Sequence, residues 1–590
     1  MSFRIITANL ITQTALHVGA GERSNVADDL LRRNAKGDII IPGTSLAGAM
    51  RAIATRIAPR LGADVCIALK TDHQGGKCGC LVCKLFGEIN PQEDEGGASR
   101  LIVYDAVLKE DVETVIRDGV GIDRMTGAAA RKERLKFDLE VLPAGATFEL
   151  RMELDPYFEN ADALELLAAT LAEWKEGRGV IGGRVSRGLG SFSLERVRFT
   201  EQKLNTVPEV IKLLKDGPDW KARKGDPRWV DDQTAEARKR LVSWKTSDHA
   251  SVARSWMLAE FTLAADGPML INDPVRAAQG GFDHAPLQVA YRKGAKYVLP
   301  GSSLKGVLRS QAERIARTLA TLLDDGTGDV FKAKCPACNP LTEEPSDPVA
   351  SCNSFILKKL DSKTRRTLDS SGAEEMLCMA CRLFGSPWNG SRLRVADASL
   401  APGTTAKLKV MDFLAIDRFT GGGREGAKFD AVVLWNPKFQ VRLFLENPQP
   451  WELGWLALVL RDLNEGLATV GFGRAKGFGQ MHIEMPKMTL GFLHESDLET
   501  LGIGNTNALR NGLKEREQTF SGLYSVLAYT EDSNDAWMNI ANVWIQAFHQ
   551  EMKDHPRHKE FVLSEDSYFV RKQLGKKSYF LPDLFPREAR

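Results

Sequence analysis

The sequence lacks several features that would quickly place it in a class of proteins. No apolar run approaches the roughly 18 residues that a membrane-spanning helix needs, so a membrane protein is not expected. The start, Met1-Ser2-Phe3-Arg4, lacks the order of charged, apolar and small residues typical of a secretory signal peptide. We therefore expect a cytoplasmic protein whose 9 cysteines meet a reducing compartment.

An excess of positive charge is also lacking, since 79 lysines and arginines face 77 aspartates and glutamates. Composition alone therefore gives no hint of nucleic acid, and a surface that binds a polyanion must arise from sorting charges onto one face. Only 9 histidines are present, which leaves little material for a histidine pair in general acid–base catalysis. The 590 residues are enough for several compact domains.

What the sequence does contain is an internal repeat, in which five short motifs occur twice in one order. Chance does not supply such an agreement. The first copies are 42–51, 80–87, 122–127 with 136–138 behind it, 148–152 and 182–190. The second copies are 300–309, 378–385, 416–421 with 428–430 behind it, 439–443 and 471–479. The chain is therefore expected to hold two tandem copies of one module.

The motif positions divide the chain into four parts. Residues 1–200 are the first module, residues 201–255 a charged linker with helical pieces, residues 256–485 the second module, and residues 486–590 a C-terminal extension. Trp544 and its neighbours in the extension have the spacing of an amphipathic helix, which predicts docking on the second copy or on a neighbouring subunit.

Each module shows the same order of strand and helix patterns. A strand and a helix come first, an irregular insertion follows, and a strand, a helix, a glycine-rich turn and a strand complete the copy. The first helix has a buried stripe that includes Leu46 and Met50, matched by Leu304 and Leu308 in the second copy. This mixture predicts an α+β, ferredoxin-like core with long insertions.

The glycine-rich segments that close the two copies suit a nucleic-acid backbone. Glycine allows positive φ and close approach, so backbone N–H groups can meet phosphate oxygens without base preference. The cations interleaved with these glycines are Arg184, Arg187, Arg474 and Lys476. A single segment of this kind is as well explained by a tight turn with solvated cations, but the duplication favours the binding loop.

The repeated Pro-Gly motif precedes a helix in each copy. Ser45 and Ser303 are expected to cap these helices, whose free N–H groups and dipole then offer an anion site. The cations beside that site are Arg51, Lys305 and Arg309. Because Ala47 stands where the second copy has Lys305, the phosphate contact of the first copy is expected to be weaker.

Cysteine spacing predicts one structural zinc site in each module. The ligands of the second site are expected to be Cys335, Cys338, Cys378 and Cys381, with Cys352 as an alternative because the two Cys-x-x-Cys pairs are far apart. Those of the first site are expected to be Cys78, Cys80 and Cys83, with His73 or Cys66 as the fourth. Four thiolates leave no open position for catalysis, so these metals would pin the insertions. Unligated buried thiols are the alternative.

The repeated motifs resemble those of the RAMP superfamily over about residues 1–200 and 256–485. The Pro-Gly-Ser-Ser-Leu-Lys-Gly segment, the Cys-x-x-Cys before Leu-Phe-Gly and the terminal glycine-rich loop carry the resemblance. The combination is similar to backbone ("Cas-seven" type) subunits of type III CRISPR effector complexes, and two copies in one chain resemble the double-backbone fusions of type III-D-like systems. The resemblance implies two RRM-like domains with thumb hairpins and zinc-binding insertions, and then a partly helical extension.

In this family the region of the Ile-Asp-Arg-x-Thr-Gly motifs is a long β-hairpin, or thumb, which enters the guide–target duplex and displaces a base. The resemblance implies that Met125 and Phe419 act as wedges, because an apolar side chain can replace a lost stacking partner. Arg124 and Arg418 stand beside them. Alternatively, these residues only anchor the base of the hairpin.

The resemblance also places chemistry in the acidic loop before the Pro-Gly motif. In catalytic members an aspartate of this loop, with a divalent cation, promotes attack of an RNA 2′-hydroxyl on the adjoining phosphate. One carboxylate suits that task because RNA brings its own nucleophile. Asp28 matches best in the first copy with Asp29 as the alternate, and the second copy offers Asp283 or His284. The alternative is that they are ordinary turn residues.

The expected function is that of a guide-RNA (crRNA)-binding backbone subunit that cleaves the paired target RNA as a Mg²⁺- or Mn²⁺-dependent endoribonuclease. Its partners would be crRNA, complementary target RNA, neighbouring backbone subunits, and large and small subunits. The alternatives are a scaffold without chemistry and a guide-processing nuclease, which the sparse histidines disfavour. The predicted RNA-binding residues are Ser45, Arg51, Arg124, Met125, Arg184, Arg187, Ser303, Lys305, Arg309, Arg418, Phe419, Arg474 and Lys476.

Overall fold

Two antiparallel sheets, one in each module, organise the computed structural model of the chain. The model describes residues 2–24, 27–66, 78–89, 96–124, 128–130, 136–217, 225–244, 252–291, 294–322, 336–343, 350–367, 370–503, 519–529 and 534–554. None of the helices in these ranges is long and apolar enough to cross a membrane.

The first module contains the following helices and strands: β1 (Ser2–Thr12), β2 (Ile40–Ile41), α1 (Gly43–Ile57), α2 (Leu81–Phe86), β3 (Glu88–Ile89), β4 (Gly96–Gly97), β5 (Leu101–Val103), β6 (Ala106–Leu108), β7 (Val115–Val120), β8 (Lys136–Val141), β9 (Thr147–Leu154), α3 (Ala161–Lys175), β10 (Gly179–Val180) and β11 (Ser191–Lys203). Strand β1 pairs with β11 on one side and β9 on the other, and β5 and β6 follow β9. This is the strand order of a ferredoxin-like sheet, with α1 and α3 as its crossover helices.

The apolar pattern of α1 explains how it packs on this sheet. Leu46, Met50, Ala54 and Ile57 follow one another at helical spacing and are all buried. Helix α3 begins at Asn160, whose side chain accepts a hydrogen bond of 2.9 Å from the backbone N–H of Ala163. The two helices therefore share one face of the sheet and close the core of the first module.

The linker contributes α4 (Val207–Asp216) and α5 (Trp229–Lys239). Helix α5 packs on α3 and β11 of the first module, where Trp229 stacks on Phe199 with ring centroids 4.3 Å apart. Aromatic burial of this kind fixes the linker helix to the first module.

The second module contains the following helices and strands: β12 (Ser255–Ala265), β13 (Pro268–Met269), α6 (Pro274–Gly280), β14 (Gln288–Tyr291), β15 (Gly294–Leu299), α7 (Gly301–Leu322), α8 (Cys352–Lys359), α9 (Ser362–Thr367), α10 (Ser370–Glu375), α11 (Met379–Phe384), β16 (Leu393–Val395), β17 (Ala398–Ser399), β18 (Lys407–Ile416), β19 (Gly423–Trp435), β20 (Lys438–Glu446), α12 (Pro450–Asn464) and β21 (Met481–Phe492). Its sheet has the order β16-β20-β12-β21, which repeats the order of the first module.

The C-terminal extension completes the second module. It contributes α13 (Glu495–Thr500), β22 (Thr519–Ser521), β23 (Tyr524–Tyr529) and α14 (Asn534–Asp554). Strand β23 pairs with β21, and α14 packs on α12 through the buried Ile540 and Trp544. Gly454 allows this close approach, because a Cβ there would lie 2.0 Å from the carbonyl oxygen of Trp544. Of the two docking surfaces expected for this tail, the second copy is contacted by its described residues, and Asp497 also forms a buried ion pair with Arg60 of the first module.

Each module also projects one thumb hairpin, β7–β8 in the first and β18–β19 in the second. The α+β prediction of two tandem ferredoxin-like modules with thumbs and a partly helical extension is confirmed.

Candidate nucleic-acid interface

One aspartate of each acidic loop is held against the thumb hairpin of its own module. The backbone N–H of Asp28 donates to the Asp138 carbonyl oxygen (2.8 Å), and the N–H of Asp138 donates to Asp28 Oδ2 (3.0 Å). In the second module the N–H of Asp283 donates to Asp430 Oδ1, and the N–H of Asp430 donates to Asp283 Oδ2, both at 2.9 Å. Asp28 and Asp283 are exposed, so each hairpin orients a carboxylate that solvent or a ligand can reach.

The same contacts settle which loop residues correspond. Asp29 forms a parallel bridge with Leu139, and His284 forms one with Ala431, each one position beyond the paired aspartate of its strand. Asp283 is therefore the counterpart of Asp28, and His284 that of Asp29.

The second position of the acidic loop differs between the modules. In the first, Asp29 Oδ2 lies 3.1 Å from Nε2 of His17, a buried side chain whose Nδ1 is 2.7 Å from the Glu140 carbonyl oxygen. In the second, the ring of His284 lies 4.5 Å from that of Phe472. A histidine–aspartate hydrogen bond in one module thus stands where the other has an aromatic contact.

Further carboxylates lie near Asp28 without forming a cage for a metal. Asp118 stands opposite Asp138 in the β7–β8 ladder, and burial together with a hydrogen bond to Asp138 raises the pKa of Asp118. Within the described ranges, the groups of three or more ligand side chains close enough for one ion are all cysteines. A divalent cation at Asp28 or Asp283 would need additional ligands from RNA phosphates and water, as Mg²⁺ commonly takes.

The two helix starts correct one expectation, because neither serine caps its helix. Helix α1 begins at Gly43 without a side-chain cap from its own first turn, and Ser45 lies inside that turn. The N–H of Gly43 instead donates to Asp105 Oδ1, and that of Gly301 donates to Asp397 Oδ1, each at 2.8 Å. In each helix a charged carboxylate oxygen therefore already accepts a hydrogen bond from one of the free N–H groups. This negative charge also stabilises the helix dipole.

The cationic side chains of these two helices differ in burial and in their hydrogen-bond partners. Arg51 is half-buried and donates from Nη2 to Cys83 Sγ at 3.4 Å. Lys305 is buried, with Nζ 2.7 Å from Ser391 Oγ and 3.0 Å from the carbonyl oxygen of Leu393.

The glycine-rich loops place a cation over the phenylalanine of each Lys-Phe-Asp motif. The guanidinium carbon of Arg184 lies 3.6 Å from the Phe137 ring centroid, and Nζ of Lys476 lies 4.7 Å from that of Phe429. Burial, and then Arg187, lower the pKa of Arg184. Arg474 is exposed beside Lys476. The loops therefore gather positive charge against one strand of each thumb.

The modules meet where the first glycine-rich loop covers the second helix start. Gly188 has a φ of 105°, and a Cβ there would lie 2.3 Å from Asp397 Oδ1 and 3.0 Å from the Cα of Gly301. Arg117 of the first thumb donates to the other oxygen of Asp397 at 2.6 Å. Glycine is required at position 188 because both the backbone conformation and the contact exclude a side chain.

This junction gathers four cations that the repeat had placed in separate modules. Arg124 Nη1 and Arg309 Nε lie 2.5 and 2.9 Å from Glu313 Oε1, a fully buried carboxylate. Arg187 and Lys305 have no carboxylate partner among the described residues. Burial, and then Arg187 and Arg309, lower the pKa of Lys305 to about 7. Partial burial, Arg309 and Arg124 likewise lower the pKa of Arg187. The cluster therefore carries charge that an added anion would relieve.

The second thumb ends in a compact turn that presents one aromatic ring. Asp417 Oδ1 accepts hydrogen bonds of 2.9 Å from the backbone N–H groups of Phe419 and Thr420, which hold the pKa of Asp417 below its usual value. The Phe419 side chain is 99% exposed and Arg418 is exposed beside it. Met125, the predicted wedge of the first thumb, lies outside the described residues.

Two groups of four cysteines are assembled, one in each module. Within each, the sulfur atoms lie within 4.8 Å of one another. The first group is Cys66, Cys78, Cys80 and Cys83, and the second is Cys338, Cys352, Cys378 and Cys381. Thus Cys66 and Cys352, which were the alternative ligands, take part, whereas His73 and Cys335 lie outside the described residues.

The thiol groups fit zinc by their chemistry. Burial raises the pKa of Cys66 to about 11, and a hydrogen bond to Cys338 raises the pKa values of Cys352 and Cys381. Each group brings four sulfur atoms together, and Zn²⁺ binds four thiolates and compensates their negative charge. Each group could therefore hold one structural Zn²⁺.

Several residues of the site were missed by the sequence analysis. Asp138 and Asp430 were part of a repeated motif, but their hydrogen bonds to the acidic loops were not expected. Asp105 and Asp397 belong to a further repeat, Val-x-Asp-Ala at 103–106 and 395–398, which would have identified both helix-capping carboxylates.

Comparisons with known proteins agree with this architecture. A family model described as the RAMP superfamily matches residues 9–193 and 280–482. The CRISPR system Cms endoribonuclease Csm3 of Methanocaldococcus jannaschii is 27% identical over 207 residues, which cover 33% of this chain and 78% of that protein. One such relative therefore corresponds to about one module, and the family match occurs twice. The chain belongs to the RAMP superfamily and carries two RAMP regions in tandem.

Proposed function

We propose that this chain is a guide-RNA-binding backbone subunit of a type III CRISPR effector complex, in which each module cleaves the paired target RNA. The observation that carries this proposal is the repeated placement of Asp28 and Asp283, each exposed and oriented by a strand of a thumb hairpin. Similarity to an endoribonuclease of a CRISPR system supports the same class of activity.

The guide RNA would run along the glycine-rich loops and the junction between the modules. Phosphates would stabilise the charged forms of Arg187 and Lys305, because burial and the neighbouring arginines disfavour charge on these two groups. Such contacts read no bases, which suits a protein that must accept many guide sequences.

The target strand would pair with the guide and meet a thumb in each module. Phe419 has no partner within the described part of its own chain that buries it, and a ring of this kind can stack against a base beside a displaced nucleotide. The displaced nucleotide would then be presented to the acidic loop that lies beside this hairpin.

Cleavage would use the 2′-hydroxyl of that nucleotide as the nucleophile. Asp28 and Asp283 would each help to hold a Mg²⁺ or Mn²⁺ ion, which would supply positive charge beside the phosphate. The backbone N–H groups of Asp138 and Asp430 hold Oδ2 of the two aspartates, so the protein aligns the reacting groups without supplying a nucleophile. The products would be a 2′,3′-cyclic phosphate and a 5′-hydroxyl.

The other subunits of such a complex, including neighbouring backbone subunits and large and small subunits, are the proposed protein partners. A non-catalytic scaffold that binds crRNA is the second candidate function. This role is favoured because, within the described ranges, no set of three or more carboxylates lies close enough together to hold one metal ion.

The test is cleavage by a reconstituted complex that carries the double variant Asp28→Ala, Asp283→Ala. We expect loss of target cleavage with guide RNA still bound, while Asp38→Ala, an exposed acid of the first module, cleaves normally. Target RNA with a 2′-deoxy nucleotide at the cut site should resist the unchanged protein. Normal cleavage by the double variant would leave the scaffold as the function.

A further inference from the structure

A narrow crevice lies where the first module, the second module and the extension meet. Its volume is about 30 Å³, and it is lined by α1, β12, β20 and β23 among other elements. None of its lining residues belongs to the acidic loops, the thumbs or the cysteine groups. A space of this size holds a water molecule or one small ion and is too small for a nucleotide.

Three arginines line the crevice against two glutamates. Arg56 of the first module pairs with Glu446 of the second, so this pair spans the junction. Arg178 pairs with Glu173 through hydrogen bonds of 2.7 and 2.6 Å from Nε and Nη2. The third arginine, Arg394, is left over, so the lining carries a surplus of one positive charge.

Arg394 has no carboxylate within 4.0 Å among the described residues. Its guanidinium donates one hydrogen bond there, of 3.0 Å, to the carbonyl oxygen of Arg178, and stacks on the Phe444 ring at 4.2 Å. Burial lowers the pKa of Arg394 to about 10, so the group stays charged at neutral pH. Arg394 is partly buried, and a charge held largely out of solvent is costly unless an anion compensates it.

A neutral donor faces the same space. Tyr524 of the extension is buried and lines the crevice, and its hydroxyl has no hydrogen-bond partner in the described part of the chain. Burial raises the pKa of Tyr524, so the hydroxyl keeps its proton and can donate it in a hydrogen bond. Arg178 also binds Ser521 of the same hairpin at 2.6 Å, which fixes the extension at the crevice.

We propose that this crevice binds one monovalent halide ion, chloride in the cell, between Arg394 and the Tyr524 hydroxyl. The ion would balance the surplus arginine and join both modules and the extension at a single point. The site would make the stiffness of the tandem arrangement depend on halide concentration. This inference does not rest on the proposed RNA cleavage.

The test uses the purified full chain in potassium gluconate, titrated with potassium bromide at constant ionic strength. We expect the unfolding temperature to rise and then saturate, and a crystal grown in bromide to show an anomalous peak in the crevice. Arg394→Gln should raise the half-saturating bromide concentration by about tenfold or more, because it removes a charge-assisted hydrogen bond.

Tyr524→Phe serves as a milder variant that removes one hydroxyl and keeps the ring, and it should also weaken the response. Arg4→Gln is the matched control, since Arg4 is a buried arginine paired with Glu201 at a distant point of the first module. A retained wild-type response in both Arg394→Gln and Tyr524→Phe, or a crevice without bromide, would overturn the proposal.

Discussion

The two glycine-rich loops share a backbone conformation but lie in different surroundings. A Cβ added at Gly188 of the first module would collide with Asp397 and Gly301 of the second. A Cβ added at the corresponding Gly477 would meet no atom within 4 Å among the described residues. One loop is therefore closed by a junction inside the chain, and the other presents an open edge.

The helix starts show the converse difference. Gly301 is covered by the first module, whereas the contacts of Gly43 come from Val103 and Tyr104 of its own module. Among the described residues, the glycine-rich loop of the second module and the helix start of the first module are thus not covered by another module. We expect neighbouring backbone subunits to bind at these two surfaces. The comparison shows that two modules in one chain form one junction, which ion pairs between the modules stabilise.

The largest effect is expected from breaking the junction at Glu313. Glu313→Ala leaves Arg124 and Arg309 without this carboxylate and should reduce stability by about 3–5 kcal/mol, the usual loss when one partner of a buried ion pair is removed. Its counterpart Thr55 makes one hydrogen bond, to the Arg51 carbonyl oxygen, so Thr55→Ala should lose about 1 kcal/mol. Urea unfolding of the full chain measures both, and equal losses would contradict the asymmetry.

The rate of metal release should also distinguish the cysteine groups of the two modules. All four cysteines of the second group are buried, whereas Cys66, Cys78 and Cys80 of the first are partly exposed. We expect two zinc ions per chain and chelator-driven release from the first group about tenfold faster or more, because a buried site opens less often. Cys83→Ser should remove the fast phase and Cys381→Ser the slow one. A single phase in the unchanged protein would argue against two distinct sites.

The junction and the cysteine groups show which features of the molecule the sequence could predict. Whereas the thumbs were expected from the family resemblance, the repeat, the sheet order and the paired cysteines follow from local patterns of residue types. The choice of Cys66 and Cys352 as fourth members does not, because spacing alone leaves several cysteines within reach of one ion. The reciprocal bonds of Asp28 and Asp138 join a loop to a strand 110 positions further along the chain.

The junction was also beyond sequence reasoning. Arg124 and Glu313 are 189 positions apart, and their contact depends on how two folded modules pack. The predicted RNA-binding role of Lys305 rested on its motif, which gave no sign that its ammonium group is buried between modules.

A smaller effect is expected from the exposed ring of the second thumb. Phe419→Ala should change stability by less than about 0.5 kcal/mol, because the side chain packs on little of its own chain. It should slow cleavage by the second module by about 5- to 100-fold, the value of one base–aromatic stack. Single-turnover rates at each cut check this, and equal slowing at both cuts would assign Phe419 a shared structural role.

The smallest effect is expected from the titration of Lys305. As pH rises through about 7, this buried lysine loses its proton and the junction loses one positive charge. Guide affinity should fall by about threefold between pH 6 and pH 8, a screened single-charge effect. Lys305→Ala, which copies Ala47 of the first module, should flatten the profile. The pKa of Lys305 is lower in the folded protein than in the unfolded chain. The unchanged protein should therefore also gain stability as pH rises above about 7.

The central claim is that two unequal modules cleave one guide-paired RNA, each with its own aspartate. A map of target-RNA cuts for the unchanged complex and for Asp28→Ala and Asp283→Ala tests it most directly. We predict two cuts at a fixed separation, of which Asp28→Ala removes one and Asp283→Ala the other. Persistence of both cuts in both single variants would contradict the account.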